Sequence, residues 1–122
     1  MNIIIDTHIF LWLLSDPKKI ESKTSLLENT DNNIYLSSMS IAEIMIKHSI
    51  GKLNFNFDAL YLAKQMGVEI LSFKGTDAIY LRVLPLHHKD PFDRMIIAQA
   101  LANDYFIMTV DNKFSIYDCK LL

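Results

Sequence analysis

Four carboxylates, Asp6, Glu43, Asp93 and Asp111, are the residues of this sequence whose types could do chemistry together. Acids gathered in one place repel one another and persist only with protons or cations among them. A set of ligands made of oxygen alone selects Mg2+ or Mn2+ rather than zinc. The reaction that best uses such a site is phosphodiester hydrolysis. There a bound metal lowers the pKa of its water, orients that water for in-line attack and neutralises charge on the leaving oxygen. No nucleophilic serine or cysteine is required, and the lone Cys119 lies near the C-terminus, away from these acids.

Each acid also has a plainer role. Asp6 can cap a helix. Ser40-Ile-Ala-Glu43 matches a capping box, in which Glu43 bonds back to its own helix end. Asp90-Pro-Phe-Asp93 suits a helix start, with Asp93 as a favourable charge on the dipole. Asp111 can open an Asp-Asn turn. Capping alone, however, gives four acids no reason to meet at one edge of one sheet.

The elements that must position them follow from the apolar pattern. Asn2-Ile-Ile-Ile5 reads as a buried strand ended by Asp6 and Thr7, with a helix from Thr7 to about Ser15. Asp16-Pro17 predicts a second helix, running to about Asn29. Ile34 to Leu36 is a second strand, followed by a helix to about Ile50 that Gly51 stops. A helix over Phe57 to Met66, stopped by Gly67, leads to a third strand, Val68 to Ser72. A short helix spans Thr76 to Leu84, and a strong one opens at Asp90-Pro91. Tyr105 to Val110 is the fourth strand, and the last residues can add an edge strand.

Strands alternating with helices predict an α/β fold, a three-layer α/β/α sandwich with a short, mainly parallel sheet of four to five strands. No repeat or linker interrupts the chain, so residues 1–122 form a single domain. Sites in such sheets form outside the carboxyl ends of the strands, where strand order reverses. Asp6 and Asp111 end strands, while Glu43 and Asp93 lie early in helices at that edge, so all four acids can face one crevice.

Twelve basic and fourteen acidic residues leave a net charge of −2, which gives no basic footprint for nucleic acid. A single bound divalent cation cancels that charge. The longest apolar run, Ile9 to Leu14, is far short of a membrane span. With no basic leader and one cysteine, a cytoplasmic chain with a reduced thiol is expected. His8, His48, His87 and His88 do not pair at zinc-type spacing, although His87 and His88 precede the Asp90 helix and could touch RNA.

Ile3-Ile-Ile-Asp6-Thr7-His8-Ile-Phe-Leu-Trp12 resembles the opening motif of PIN-domain nucleases, in the toxin branch named virulence-associated protein C (VapC). Leu36-Ser-Ser-Met-Ser-Ile-Ala-Glu43-Ile-Met-Ile-Lys47 with Gly51-Lys-Leu53 agrees in order and spacing. So do His88-Lys-Asp90-Pro-Phe-Asp93-Arg94 with Ala98-Gln-Ala100, and Thr109-Val-Asp111-Asn-Lys-Phe114. The resemblance implies that Asp6, Glu43 and Asp93 bind Mg2+ or Mn2+, with Asp111 as the fourth acid. It places Thr7 and Thr109 as polar supports of the pocket. Asp90 is read mainly as the helix cap with a supporting role open, and Arg94 as an exposed or salt-bridged arginine, with phosphate contact open. It further implies an RNA substrate, a homodimer and an antitoxin partner docked near the first helices, with Trp12 either a contact or a core residue. Where this branch commonly has tryptophan before the glutamate, Ala42 stands here.

An RNA-processing nuclease without a toxin role is the nearest alternative. A receiver-type signalling domain would need a phosphoacceptor Asp ending a central strand and a lysine near a later strand end. The third strand ends in Leu71-Ser72, and no such pair is found. A haloacid-dehalogenase-like phosphatase needs a second Asp two residues after the first, where His8 stands. A catalytically dead binding module sits poorly with retention of all four acids.

Overall fold

A computed structural model describes residues 1–122 apart from His88. Four parallel strands form one sheet in the order β3-β2-β1-β4. They are β1 (Asn2–Ile5), β2 (Asn33–Ser37), β3 (Val68–Leu71) and β4 (Phe106–Met108). In register, Ile4 lies between Tyr35 of β2 and Ile107 of β4. A strand buried on both faces has no polar side to show, which is why β1 is all isoleucine after Asn2. Ile3, Ile4 and Ile5 are fully buried, and each contributes about 1.5–3 kcal/mol by leaving water.

The alternation of β1 side chains divides the core into two. Ile3 and Ile5 join Ile9, Phe10, Ile44, Ala59 and Ala63 on one face. Ile4 joins Ile96, Ile97, Ala100, Ile107 and Phe114 on the other. Helices therefore cover both faces, giving the three layers expected. On the first face lie α1 (Thr7–Ser15), α3 (Ser38–Ser49) and α4 (Ala59–Gln65), and on the second α6 (Pro91–Asn103). The short helices α2 (Thr24–Glu28) and α5 (Gly75–Ala78) complete the set.

Several boundaries differ from the sequence pattern, among them β4, which ends at Met108 rather than Val110. The expected helix from Pro17 is a 3-10 segment, Pro17–Lys23, followed by α2. It breaks at Ile20 (φ −122°, ψ 21°), whose side chain is buried in the core. The helix expected over 76–84 is likewise split, into α5 and the 3-10 segment Ile79–Arg82. The fifth strand is reduced to a single parallel bridge, Ile107 with Leu121. Elsewhere the punctuation acts as read. Gly51 and Gly67 take positive φ (76° and 72°) after α3 and α4, a region that costs a residue with a Cβ.

Candidate functional site

The chain lays β1, β2 and β3 side by side in one direction, then returns to place β4 on the other side of β1. The order therefore reverses between β1 and β4, and a crevice opens at their carboxyl ends. Asp6 follows β1 there. Its backbone N–H donates to Met108 O at 3.0 Å, extending the ladder by one residue. The side chain is 2% exposed. Oδ1 accepts from Ile9 N at 2.8 Å, so the helix cap expected of Asp6 is present. Oδ2 accepts from the Thr109 hydroxyl at 2.5 Å. The expected helix cap and a buried carboxylate thus coexist in one residue.

Burial pushes the Asp6 carboxyl above its ordinary value, and the negative charge of Asp111 adds to that. The bonds from Thr109 and Ile9, and the charge of His8, pull the other way without winning. Thr109, itself buried, also accepts the Asp111 N–H at 3.0 Å. Asp111 turns its own Oδ1 to Lys113 N at 2.9 Å, the turn expected of it. Thr109 therefore joins Asp6 and Asp111 at the ends of neighbouring strands. Asp6, His8, Trp12, Val110 and Asp111 line one hollow. Trp12 is half-buried, its ring 5.9 Å from that of His8, and so borders the site while also packing on the core.

Glu43 comes from α3, whose N-cap is Ser37, accepting from Met39 N. Ser40 is already inside the helix, so the capping box expected between Ser40 and Glu43 does not form. The two instead share a buried face with Ile44. Ser40 accepts the Thr7 hydroxyl at 2.9 Å, which ties α1 to α3 one turn before Glu43. Glu43 is 2% exposed. Its Oε2 meets Lys47 Nζ at 2.8 Å, while Oε1 is buried with no hydrogen-bond partner among the described residues. A buried carboxylate oxygen left without a donor is costly unless a cation or proton serves it.

Asp93 lies in the first turn of α6, and Asp90 caps that helix by accepting from Phe92 N (2.9 Å) and Asp93 N (3.2 Å). The charges of Asp90 and Asp93, at the start of α6, both act on the Lys47 ammonium that Glu43 holds. Arg94 is placed differently from expectation. Neither exposed nor salt-bridged among the described residues, it donates to the carbonyls of Pro85 (2.9 Å) and Leu84 (3.4 Å) and to the Tyr117 hydroxyl (3.2 Å). Its fork closes the preceding loop onto α6, a task invisible to local sequence.

Asp6 and Asp111 thus line one hollow, Glu43 lines a neighbouring pocket with Thr7, His8 and Lys47, and Asp90 and Asp93 open α6. Among the described residues, no three acidic, histidine or cysteine side chains converge as a ready-made metal cage. The donor set nonetheless fits a hard divalent cation, since it is all oxygen and Glu43 Oε1 lacks a partner. Of the histidines, His48 is structural, its Nδ1 accepting from Phe55 N at 3.1 Å. His87 stacks edge-on with Tyr117, and His88 lies outside the described residues. Lys47 was passed over as a site residue, though its position four residues after Glu43 on a helix signals the pair.

Comparison with solved structures shows the same fold. VapBC2 from Rickettsia felis, solved bound to a DNA fragment from their promoter, aligns over all of this chain and 98% of its own at 19% identity, with TM-score 0.75. DNA-bound VapBC from Salmonella typhimurium aligns at 17% identity over 100% and 97%, with TM-score 0.71. FitAcB from Neisseria gonorrhoeae aligns at 20% identity over 98% and 96%, with TM-score 0.66. A comparison with curated proteins finds no match. The profile of the PIN domain matches residues 3–119, nearly the whole chain, and the chain belongs to the PIN domain family.

Proposed function

We propose that this chain is a VapC-type toxin, an endoribonuclease that hydrolyses RNA phosphodiester bonds with Mg2+ or Mn2+ and is held in check by an antitoxin. The observation that carries this reading is the pair of buried carboxylates, Asp6 at the strand-order reversal and Glu43 on α3, with Glu43 Oε1 unpartnered among the described residues. Asp6, Glu43 and Asp93 would hold the cation, with Asp111 as the fourth acid. When bound, such a cation lowers the pKa of a water and offsets charge on the phosphodiester.

The remaining work falls to the chain. Thr109 and the Ile9 N–H fix both oxygens of Asp6. The Thr7–Ser40 bond sets the spacing between the helices bearing Asp6 and Glu43. Asp90 fixes the first turn of α6 and with it Asp93. Arg94 is engaged with carbonyls and is assigned no phosphate. Single-stranded or loop RNA, with exposed phosphates and unstacked bases, is the substrate this reading favours.

The likeness to VapBC and FitAcB complexes, together with the resemblance of the motifs, supports the antitoxin partner. So does an apolar groove beside α1, lined by Leu11, Leu14, Leu53, Phe55, Phe57 and Leu62. A homodimer and a cytoplasmic setting belong to the same reading; among the described residues, no helix is long and apolar enough to cross a membrane. The test is expression of the wild type, Asp6→Asn and Asp93→Asn, followed by growth and RNA-end sequencing. Growth arrest with new RNA ends is expected from the wild type alone. Arrest by either variant at the wild-type level would overturn the assignment.

A further inference from the structure

The ion pair between Glu43 and Lys47 is not an ordinary one on a helix surface. Solvated pairs at this spacing have both ends in water and contribute little. Here the carboxylate side chain is 3% exposed against 41% for the lysine, and the lysine donates from the mouth of the crevice at 2.8 Å. Two further facts separate it from a structural staple. Glu43 Oε1 has no partner, so Lys47 satisfies only half of the buried carboxylate. The ammonium is also close enough to Asp90 and Asp93, on a different helix, for their charges to act on it. The ammonium is therefore bound to the acid of α3, while the charges of the acids that open α6 also act on it.

We propose that Lys47 is a built-in counter-cation, whose ammonium pairs with the buried Glu43 carboxylate in the place of a divalent ion and must give way when that ion binds. The inference rests on the metal-site reading above and concerns what occupies the acids in the metal-free chain. Both cations draw on the same carboxylates, and an ammonium beside a divalent ion is repelled. The pair therefore keeps the acids from repelling one another in the free chain and weakens metal binding in proportion. Thr7, His8, Glu43, Lys47 and Lys52 line one pocket. Lys47 displaced from Glu43 stays at the mouth of that pocket, beside Lys52, where the phosphates of a bound strand would pass.

The test is calorimetric titration of Mn2+ into the EDTA-stripped full chain without RNA, for the wild type, Lys47→Met, Lys47→Gln and Lys47→Arg. The neutral variants are expected to bind Mn2+ at least about fivefold more tightly, the low end of ordinary coupling between two sites. Arginine, which keeps the charge, stays within about twofold of the wild type by the same reasoning. Melting curves give a second readout. Removing the lysine leaves a buried carboxylate unpaired, so the metal-free melting temperature falls, while the rise on adding Mn2+ is larger than for the wild type. A lysine that merely braced α3 would give the fall without the larger rise.

Unchanged or weaker Mn2+ binding by both neutral variants overturns the proposal and leaves the metal site standing. A wild-type chain that binds no Mn2+ overturns both. Should the neutral variants fail to fold, a crystal structure of the wild type with Mn2+ decides the question. The proposal requires Lys47 Nζ to have left Glu43 Oε2, and an intact pair beside a bound ion refutes it.

Discussion

Replacing Thr109 with valine keeps nearly the same shape and removes one hydroxyl that makes two bonds. That hydroxyl donates to Asp6 Oδ2 at 2.5 Å and accepts the Asp111 N–H at 3.0 Å. A bond to a buried charge is worth about 1.5–3 kcal/mol and a neutral one about 1 kcal/mol. Asp111 is only half-buried, so water can replace part of the second bond. The variant should lose about 2–3 kcal/mol, or about 8–12 °C in melting temperature for a chain of this size. The loss depends on pH with a definite sign. The Thr109 bond lowers the carboxyl pKa of Asp6 in the fold, so its contribution is present while Asp6 is ionised and fades as pH falls through the carboxylate range. Denaturant melts from neutral to acid pH provide the assay. Thr109→Ser, which keeps the hydroxyl, should restore most of the stability, and the valine variant should cleave RNA about 10–100-fold more slowly. A valine variant within about 0.5 kcal/mol of the wild type at neutral pH, or a gap that does not narrow in acid, would refute the reasoning.

Asp6→Asn should melt higher than the wild type at neutral pH while losing cleavage. It keeps an acceptor for Ile9 N and gives up the bond from Thr109, but it removes a charge whose burial outweighs both bonds. Because the folded pKa of Asp6 is raised, the stability it contributes is present at acid pH and lost as pH rises through that raised value, so the gain should shrink on acidification. Arg94→Met should lower the melting temperature by loosening the Leu84–Pro85 loop. It should leave the salt dependence of RNA binding unchanged, whereas loss of a phosphate contact would reduce that slope by about one unit. Phe57 is 65% exposed at the rim of the apolar groove. Phe57→Lys should abolish co-purification of the antitoxin while leaving the cleavage rate of the free chain intact.

The position of Asp6 was readable because an unbroken isoleucine run can only be a doubly buried strand, and the first polar residue after it must sit at the strand end. Glu43 was read as a candidate from its type, but its local setting was not readable. Ser37, Ser38 and Ser40 are all good caps, and only the length of β2 decides among them. Once Ser37 takes that place, Ser40 is free to receive Thr7, a bond spanning 33 residues that no local pattern encodes. The break at Ile20 has the same origin, since burial of one side chain overrode the helix expected from Pro17. Arg94 was misjudged because its partners are carbonyls of the preceding loop and a tyrosine 23 residues away. The motif block around it fixed its position in sequence without revealing its task.

The most direct measurement is the rate of RNA cleavage by the purified chain against Mn2+ concentration, for the wild type beside Glu43→Gln. Glutamine matches the shape of glutamate and removes the charge whose Oε1 has no partner. The account predicts cleavage that rises and saturates with Mn2+ in the wild type, vanishes in EDTA, and is lost in a Glu43→Gln chain that melts at or above the wild-type temperature. A Glu43→Gln chain cleaving at the wild-type rate, or a wild type indifferent to EDTA, would contradict it.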